Sequence, residues 1–203
     1  MKLYDGGRVP NARRVRIFLA EKGITVPMES VDLGKLEHRG AEFTRLNPLQ
    51  RVPVLVLDDG TVLTESIAIC RYFEELHPTP ALFGVGAKGK ALVEMWQRRL
   101  ELELYLPAAF VFRHTHPAMA NLEVPQVREW GEANRGHVER FLSILDAHLD
   151  GRDFVIGDTL SVADITGYIA IEFFKAGKIA PPEKHLNVMR WHAAIAARPS
   201  ARA

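Results

Sequence analysis

Apolar and polar positions alternate differently in the two parts of this chain. Residues 2–4 form a short candidate strand. The bent segment after it leads into a helix that ends near Lys22 and Gly23, with Gly23 placed as a C′ residue. Val26, Met28 and Ser30 alternate with Pro27, Glu29 and Val31, the period of a second strand. Val54-Leu55-Val56-Leu57, then Asp58-Asp59-Gly60-Thr61, then Val62-Leu63 read as a hairpin, because Asp-Gly supplies the positive φ that a tight turn demands. From Ser66 to residue 76 the spacing becomes helical through Ile67, Ile69, Cys70, Tyr72 and Phe73. The predicted order is β-α-β, a loop, then β-β-α, a small mixed sheet with helices packed on it.

Residues 77–86, with His77-Pro78-Thr79-Pro80 and Phe83-Gly84-Val85-Gly86, cannot continue a helix and read as a linker. Beyond them strand signals vanish. Residues 87–116 are helical, and Pro107 inside the pattern removes a backbone hydrogen bond and predicts a kink. Val127, Trp130, Asn134, Val138, Phe141, Leu145 and His148 recur at three- and four-residue steps on a second long helix. Residues 161–175 are apolar on nearly all sides and read as the buried central helix of this half. Residues 186–197 make a last amphipathic helix, closed by Arg198-Pro199. The expected division is an α/β domain over 1–76, a linker over 77–86 and an all-helical domain over 87–203.

Charge changes this picture little. Lys plus Arg number 26 against 25 Asp plus Glu, a net charge of +1, whereas a dedicated nucleic-acid binder needs a larger positive excess. Arg13, Arg14 and Arg16 are therefore read as local features of one helix. The lone Cys70 rules out an intrachain disulfide and a cysteine-rich zinc site. His114 and His116 flank Thr115 without an evident third ligand, so no metal is expected. No window approaches the ~18 uninterrupted apolar residues of a membrane span, and the N-terminus lacks a signal-peptide core. A cytoplasmic protein without nucleic-acid or membrane partners is the expectation.

Three stretches carry more specific information: Asn47-Pro48-Leu49-Gln50-Arg51-Val52-Pro53-Val54-Leu55, Thr64-Glu65-Ser66-Ile67-Ala68-Ile69-Cys70-Arg71-Tyr72-Phe73, and Gly157-Asp158-Thr159-Leu160-Ser161-Val162-Ala163-Asp164-Ile165. In order and spacing they resemble the cytosolic glutathione transferases over essentially the whole chain. The resemblance implies a thioredoxin-like N-terminal domain, an all-α C-terminal domain, glutathione as co-substrate and a homodimer with Arg71 at the subunit contact. It implies glutathione binding by Gln50, Arg51, Val52, Pro53, Glu65 and Ser66. The peptide before Pro53 can be cis or trans. In this family the residue before that proline pairs its backbone with the cysteinyl unit, as an added strand would. Glu65 and Ser66 precede a helix, where free N–H groups and a hydroxyl suit a carboxylate and Glu65 suits an ammonium group; simple N-capping is the other use of such residues. Ser161 and Asp164 form a capping pattern that nucleates a core helix, and no catalytic role is assigned to them.

The expected chemistry is to hold the glutathione thiol, with an ordinary pKa of ~8.5, as its thiolate beside a small hydrophobic electrophile. Many relatives place a Ser, Tyr or Cys in the first strand–helix loop for this purpose. The segment DGGRVPNARRVRIF, residues 5–18, has no Ser, Thr, Cys or His. Pro10-Asn11-Ala12 resembles the Thr-Pro-Asn-Gly loops of some bacterial transferases linked to disulfide reduction, with Val9 in place of the threonine. Asn11 carries an amide donor where the hydroxyl usually lies and is the catalytic candidate. It also suits a helix N-cap, and Tyr4 is the rival donor. The electrophile pocket is expected from Val9, Trp96, Tyr105, Phe110 and Arg113. Reduction of a disulfide or peroxide by glutathione, and a non-catalytic binding module, are the alternative functions.

Overall fold

In the computed structural model, which describes residues 1–203, strand β1 (Lys2–Asp5) sits inside a four-stranded sheet with β2 (Met28–Ser30), β3 (Val54–Val56) and β4 (Val62–Leu63), in the order β2-β1-β3-β4. β2 runs parallel to β1, with Leu3 opposite Met28. A parallel step requires a crossover, which helix α1 (Pro10–Lys22) supplies. β3 is antiparallel to β1, with Leu3 opposite Leu55, and both side chains are fully buried. β3 and β4 form the expected hairpin, in which Gly60 takes φ +85° and Asp59 Oδ1 accepts from the Thr61 amide at 2.8 Å.

α1 begins at Pro10, whose fixed φ and missing N–H suit a first helical position. It ends at Gly23 in the left-handed region, where the Gly23 and Ile24 amides close onto Ala20 and Leu19. Between β2 and β3, where the sequence predicts only a loop, lies helix α2 (Ala41–Leu46). Six residues are too few to show a helical period. Its Phe43 joins Val31, Val52 and Val54 in a buried cluster. α3 (Ser66–Leu76) packs along α1 and buries Ile69, Cys70 and Phe73.

Met1–Leu82 and Pro199–Ala203 form one unit, and Phe83–Arg198 forms the other. The sequence reading carries the helical domain through residue 203, whereas the last five residues belong with the first unit. Pro199 stops the preceding helix, and in the turn it begins the Ala201 carbonyl accepts from Arg13 Nη2 at 2.9 Å. Ser200 Oγ also bonds Glu21.

The second unit contains α4 (Gly86–Arg99), α5 (Leu106–Thr115), α6 (Arg128–His148), α7 (Val162–Glu172) and α8 (Leu186–Ala196). The helix predicted across Pro107 is not a simple kink. Leu100–Tyr105 widens into a π-helical turn between α4 and α5, with Pro107 in the first turn of α5. A proline has no N–H to give to the preceding turn, and a wider turn accommodates that loss. α7 is buried from Val162 to Ile171 and begins with the predicted capping box. Asp164 accepts from the Val155 amide (2.9 Å), the Ser161 amide (2.9 Å) and hydroxyl (2.7 Å), and Trp191 Nε1 (2.9 Å). Burial pushes the Asp164 carboxyl upward from its ordinary pKa, and these four donors oppose the shift. No helix is long and apolar enough to cross a membrane.

Candidate functional site

The first strand–helix loop is shaped by its own charges. Asp5 Oδ2 accepts from the Gly7 amide at 2.8 Å and its Oδ1 from Arg16 at 2.5 Å; Arg16 also donates to the Gly7 carbonyl at 2.8 Å. Gly7 takes φ +66°, a conformation glycine adopts without steric cost. Gly6 is required for another reason: a Cβ there would lie 2.4 Å from Val52 Cγ2. The loop and the segment before β3 therefore touch through a missing side chain.

Asn11 lies within α1, after the N-cap Val9 and Pro10, and α1 has no side-chain cap. The N-capping use of Asn11 is thus corrected: the cap position falls two residues earlier, on an apolar side chain. Asn11 Oδ1 instead accepts from Arg14 Nη1 at 3.1 Å, and the same nitrogen donates to Ser66 Oγ at 2.6 Å. Arg14 is 1% exposed. It is a buried link between the two segments, whereas the sequence alone reads it as part of a basic helix. A signal was present, since Asn11, Arg14 and Phe18 share one helical face at i, i+3 and i+7, and Phe18 is core. Tyr4 meets Phe43 edge-on at 6.1 Å between ring centroids, and Arg8 is exposed. Burial pushes the Cys70 thiol up to about 12, which keeps it protonated and inert.

The segment before β3 hangs on buried Asn47. Its Nδ2 donates to the Arg51 carbonyl at 2.8 Å, and its Oδ1 accepts from the Leu49 amide at 3.1 Å. Gln50 has φ +54° and donates through Nε2 to Thr44 Oγ1 at 3.1 Å, whereas Arg51 is exposed. The Val52–Pro53 peptide is cis. Pairing with β1 starts at Val54, opposite Tyr4, so Val52 lies beyond the end of the ladder. After β4, Glu65 takes φ 62° and ψ 114°, a strained backbone for a residue with a side chain. Ser66 is the buried first residue of α3. Neither Glu65 nor Ser66 caps the helix through its side chain, because the Ser66 hydroxyl is held by Arg14 instead.

The other candidates each have packing partners of their own. Trp96 is corrected from pocket wall to core: it is 4% exposed, stacks on His148 at 4.0 Å and carries Arg99 on its ring at 5.1 Å. Phe110 packs against Trp130 at 5.9 Å, and Arg113 pairs with Glu123 at 2.5 Å. Val9 packs on the cluster of Val31, Phe43, Val52 and Val54. Tyr105 lies 6.2 Å from Phe173, which in turn lies 5.3 Å from Phe112. Phe112 follows Tyr105 by seven residues, a spacing legible in the sequence; Phe173 arrives from the end of α7. His114 and His116 each use Nδ1 to accept a backbone amide, from Val127 and Ala118 respectively.

Comparison with known proteins identifies the family and the fold. Residues 10–76 match the family model "Glutathione S-transferase, N-terminal domain", and residues 106–199 match "Glutathione S-transferase, C-terminal domain". Glutathione S-transferase 2 of Saccharomyces cerevisiae is 36% identical over 203 residues, covering 98% of this chain and 87% of that protein. A glutathione S-transferase domain-containing protein of Marinobacter aquaeolei VT8 superposes with a TM-score of 0.94 at 36% identity, over 98% of this chain and 99% of that one. Gtt2 from Saccharomyces cerevisiae gives 0.93 at 36% identity, over 100% and 99% of the two chains. The sheet with its helices is the thioredoxin-like domain of these proteins and the second unit their all-α domain; the chain belongs to the glutathione S-transferase family.

Proposed function

We propose that the chain is a glutathione transferase that binds glutathione on its first unit and presents the thiolate to a small hydrophobic electrophile. The start of α3 carries this reading. The first-turn amides of this helix have no side-chain cap, the exposed Glu65 precedes them on strained backbone, and the Ser66 hydroxyl lies beside them. The γ-glutamyl end of glutathione bears a carboxylate and an ammonium group. The carboxylate suits the amides and the Ser66 hydroxyl, and the ammonium suits Glu65. Val52, beyond the end of the β1–β3 ladder, offers its backbone to the cysteinyl unit, with Gln50, Arg51 and Pro53 around it.

The thiol then falls to the first turn of α1, where the helix dipole and the Asn11 Nδ2 donor favour S⁻ over SH. The thiolate forms a bond to the electrophilic carbon as the leaving group departs with its electron pair. Within the second unit, Tyr105, Phe112 and Phe173 form an aromatic group of their own. On the same reading the protein is a cytoplasmic homodimer that serves detoxification, with Arg71 of α3 at the subunit contact.

Retention on immobilised glutathione tests the binding half, and no binding at millimolar glutathione refutes it. Asn11→Ala tests the chemical half. The ultraviolet absorbance of bound thiolate should need a pH about one unit higher to develop, which lowers the conjugation rate at neutral pH up to about tenfold. An unchanged titration removes Asn11 from the mechanism.

A further inference from the structure

The two ends of the proposed glutathione site, the thiol end at Asn11 and the γ-glutamyl end at Ser66, are 55 residues apart in sequence and meet on one nitrogen. Arg14 Nη1 lies 3.1 Å from Asn11 Oδ1 and 2.6 Å from Ser66 Oγ. A guanidinium has only donors to give. Each partner must therefore turn an oxygen lone pair toward Arg14, and its protons are left to point elsewhere. For Asn11 this fixes the amide: a flipped side chain would set its NH₂ against the guanidinium, donor against donor. For Ser66 it fixes the hydroxyl, which accepts from Arg14 and has its own proton to donate. The burial of Arg14, at 1% exposure, keeps water from competing for either bond.

We infer that Arg14 is a positioning residue, whose guanidinium presents the Asn11 amide and the Ser66 hydroxyl to glutathione as oriented donors. This rests on the proposed glutathione reading and adds a residue that touches neither the thiol nor the carboxylate. It also explains how this loop manages without a hydroxyl. An unrestrained asparagine amide offers sulfur its oxygen as readily as its nitrogen, and only the nitrogen end stabilises a thiolate.

The test separates the two ends. Affinity for S-methylglutathione, which has no thiol, reads the γ-glutamyl end; the pH midpoint of thiolate absorbance in bound glutathione reads the sulfur end. Ser66→Ala should weaken S-methylglutathione binding about tenfold with little change in midpoint, and Asn11→Ala should raise the midpoint about one unit with little change in affinity. Arg14→Met should do both. Arg14→Lys keeps the charge on a shorter arm, and it should recover part of one effect without restoring the pair. Arg14→Met with wild-type affinity and wild-type midpoint overturns the inference. Should Arg14→Met fail to fold, the nitrogen-15 resonances of the Arg14 side chain in the otherwise intact protein decide. Ser66→Ala and Asn11→Ala should each shift the Nη1 signal, and no shift in either overturns it. Wild-type protein that binds no S-methylglutathione overturns the glutathione reading itself, whereas binding by the wild type isolates the outcome to Arg14.

Discussion

Gly6→Ala adds one methyl group where the first loop passes the segment before β3. The new Cβ would stand 2.4 Å from Val52 Cγ2, 3.0 Å from Val9 Cγ2 and 3.3 Å from Leu33 Cδ1. Ordinary contact begins at 3.4 Å, so the Val52 methyl must retreat by about 1 Å. Val52 is β-branched, with little rotamer choice, and is packed among Val31, Phe43 and Val54. Turning the side chain would press its methyls into that cluster, so the backbone of Val52 and Pro53 is expected to shift. Overpacking of this kind costs about 1–3 kcal/mol of stability. A displacement of ~1 Å in a segment that positions substrate is also enough to lower kcat/KM for glutathione by about 10²-fold. Urea unfolding and glutathione-dependent kinetics would be measured on Gly6→Ala, on Gly7→Ala and on Gly6→Ala/Val52→Ala. Gly7 has open space around its Cβ position, so Gly7→Ala should lose only the ~1 kcal/mol of its positive φ. The double variant removes the clashing methyl and should recover glutathione kinetics relative to Gly6→Ala. Gly6→Ala with wild-type stability and kinetics, or Gly7→Ala as damaging as Gly6→Ala, refutes the steric link between the two segments.

Asp164→Asn keeps one oxygen but sets an NH₂ group against buried donors that now share the carboxylate, and should lower the unfolding free energy by about 2–4 kcal/mol. A loss under about 1 kcal/mol in urea titration would contradict the proposed network. Cys70 has its pKa raised by burial from 9.0 to about 12, so the folded state retains a proton that the unfolded state releases. Its contribution is therefore fully present below pH 9 and should be lost between pH 9 and 12 at about 1.4 kcal/mol per pH unit. The stability difference between wild type and Cys70→Ala checks this, and a difference that stays flat over that window rejects it. Deleting Pro199–Ala203 removes the Arg13–Ala201 and Ser200–Glu21 bonds and should destabilise the first unit by about 1–3 kcal/mol. An unchanged melting transition would show that the terminal turn contributes nothing.

The sequence by itself determined the order of strands and helices in the first unit, the helical character of the second, the Asp-Gly hairpin and the Ser161/Asp164 cap. Each of these is written in residues a turn or two apart, where periodicity, proline, glycine and capping chemistry act directly. It also marked Val52-Pro53 and Glu65-Ser66 as candidate binding elements, on spacing that resembles the family's, and they enter the proposed glutathione site on that footing. The sequence did not reveal α2, whose six residues are too few to show a period, or the π turn that absorbs Pro107, since a proline in a helical pattern is equally compatible with a kink. Tertiary structure decided the rest. Trp96 has an aromatic's spacing, but packing against His148 makes it core. Asn11 had two local uses, cap and donor, and neither could be chosen from its neighbours. The structure removes the cap use, because the N-cap is Val9, and it sets Asn11 Oδ1 against Arg14, which meets Ser66 from 52 positions away; Gly6 likewise leaves room for a distant residue, Val52. Such pairs are formed by chain segments that touch only after folding, so side-chain volume and hydrogen-bond polarity in the packed structure settle them.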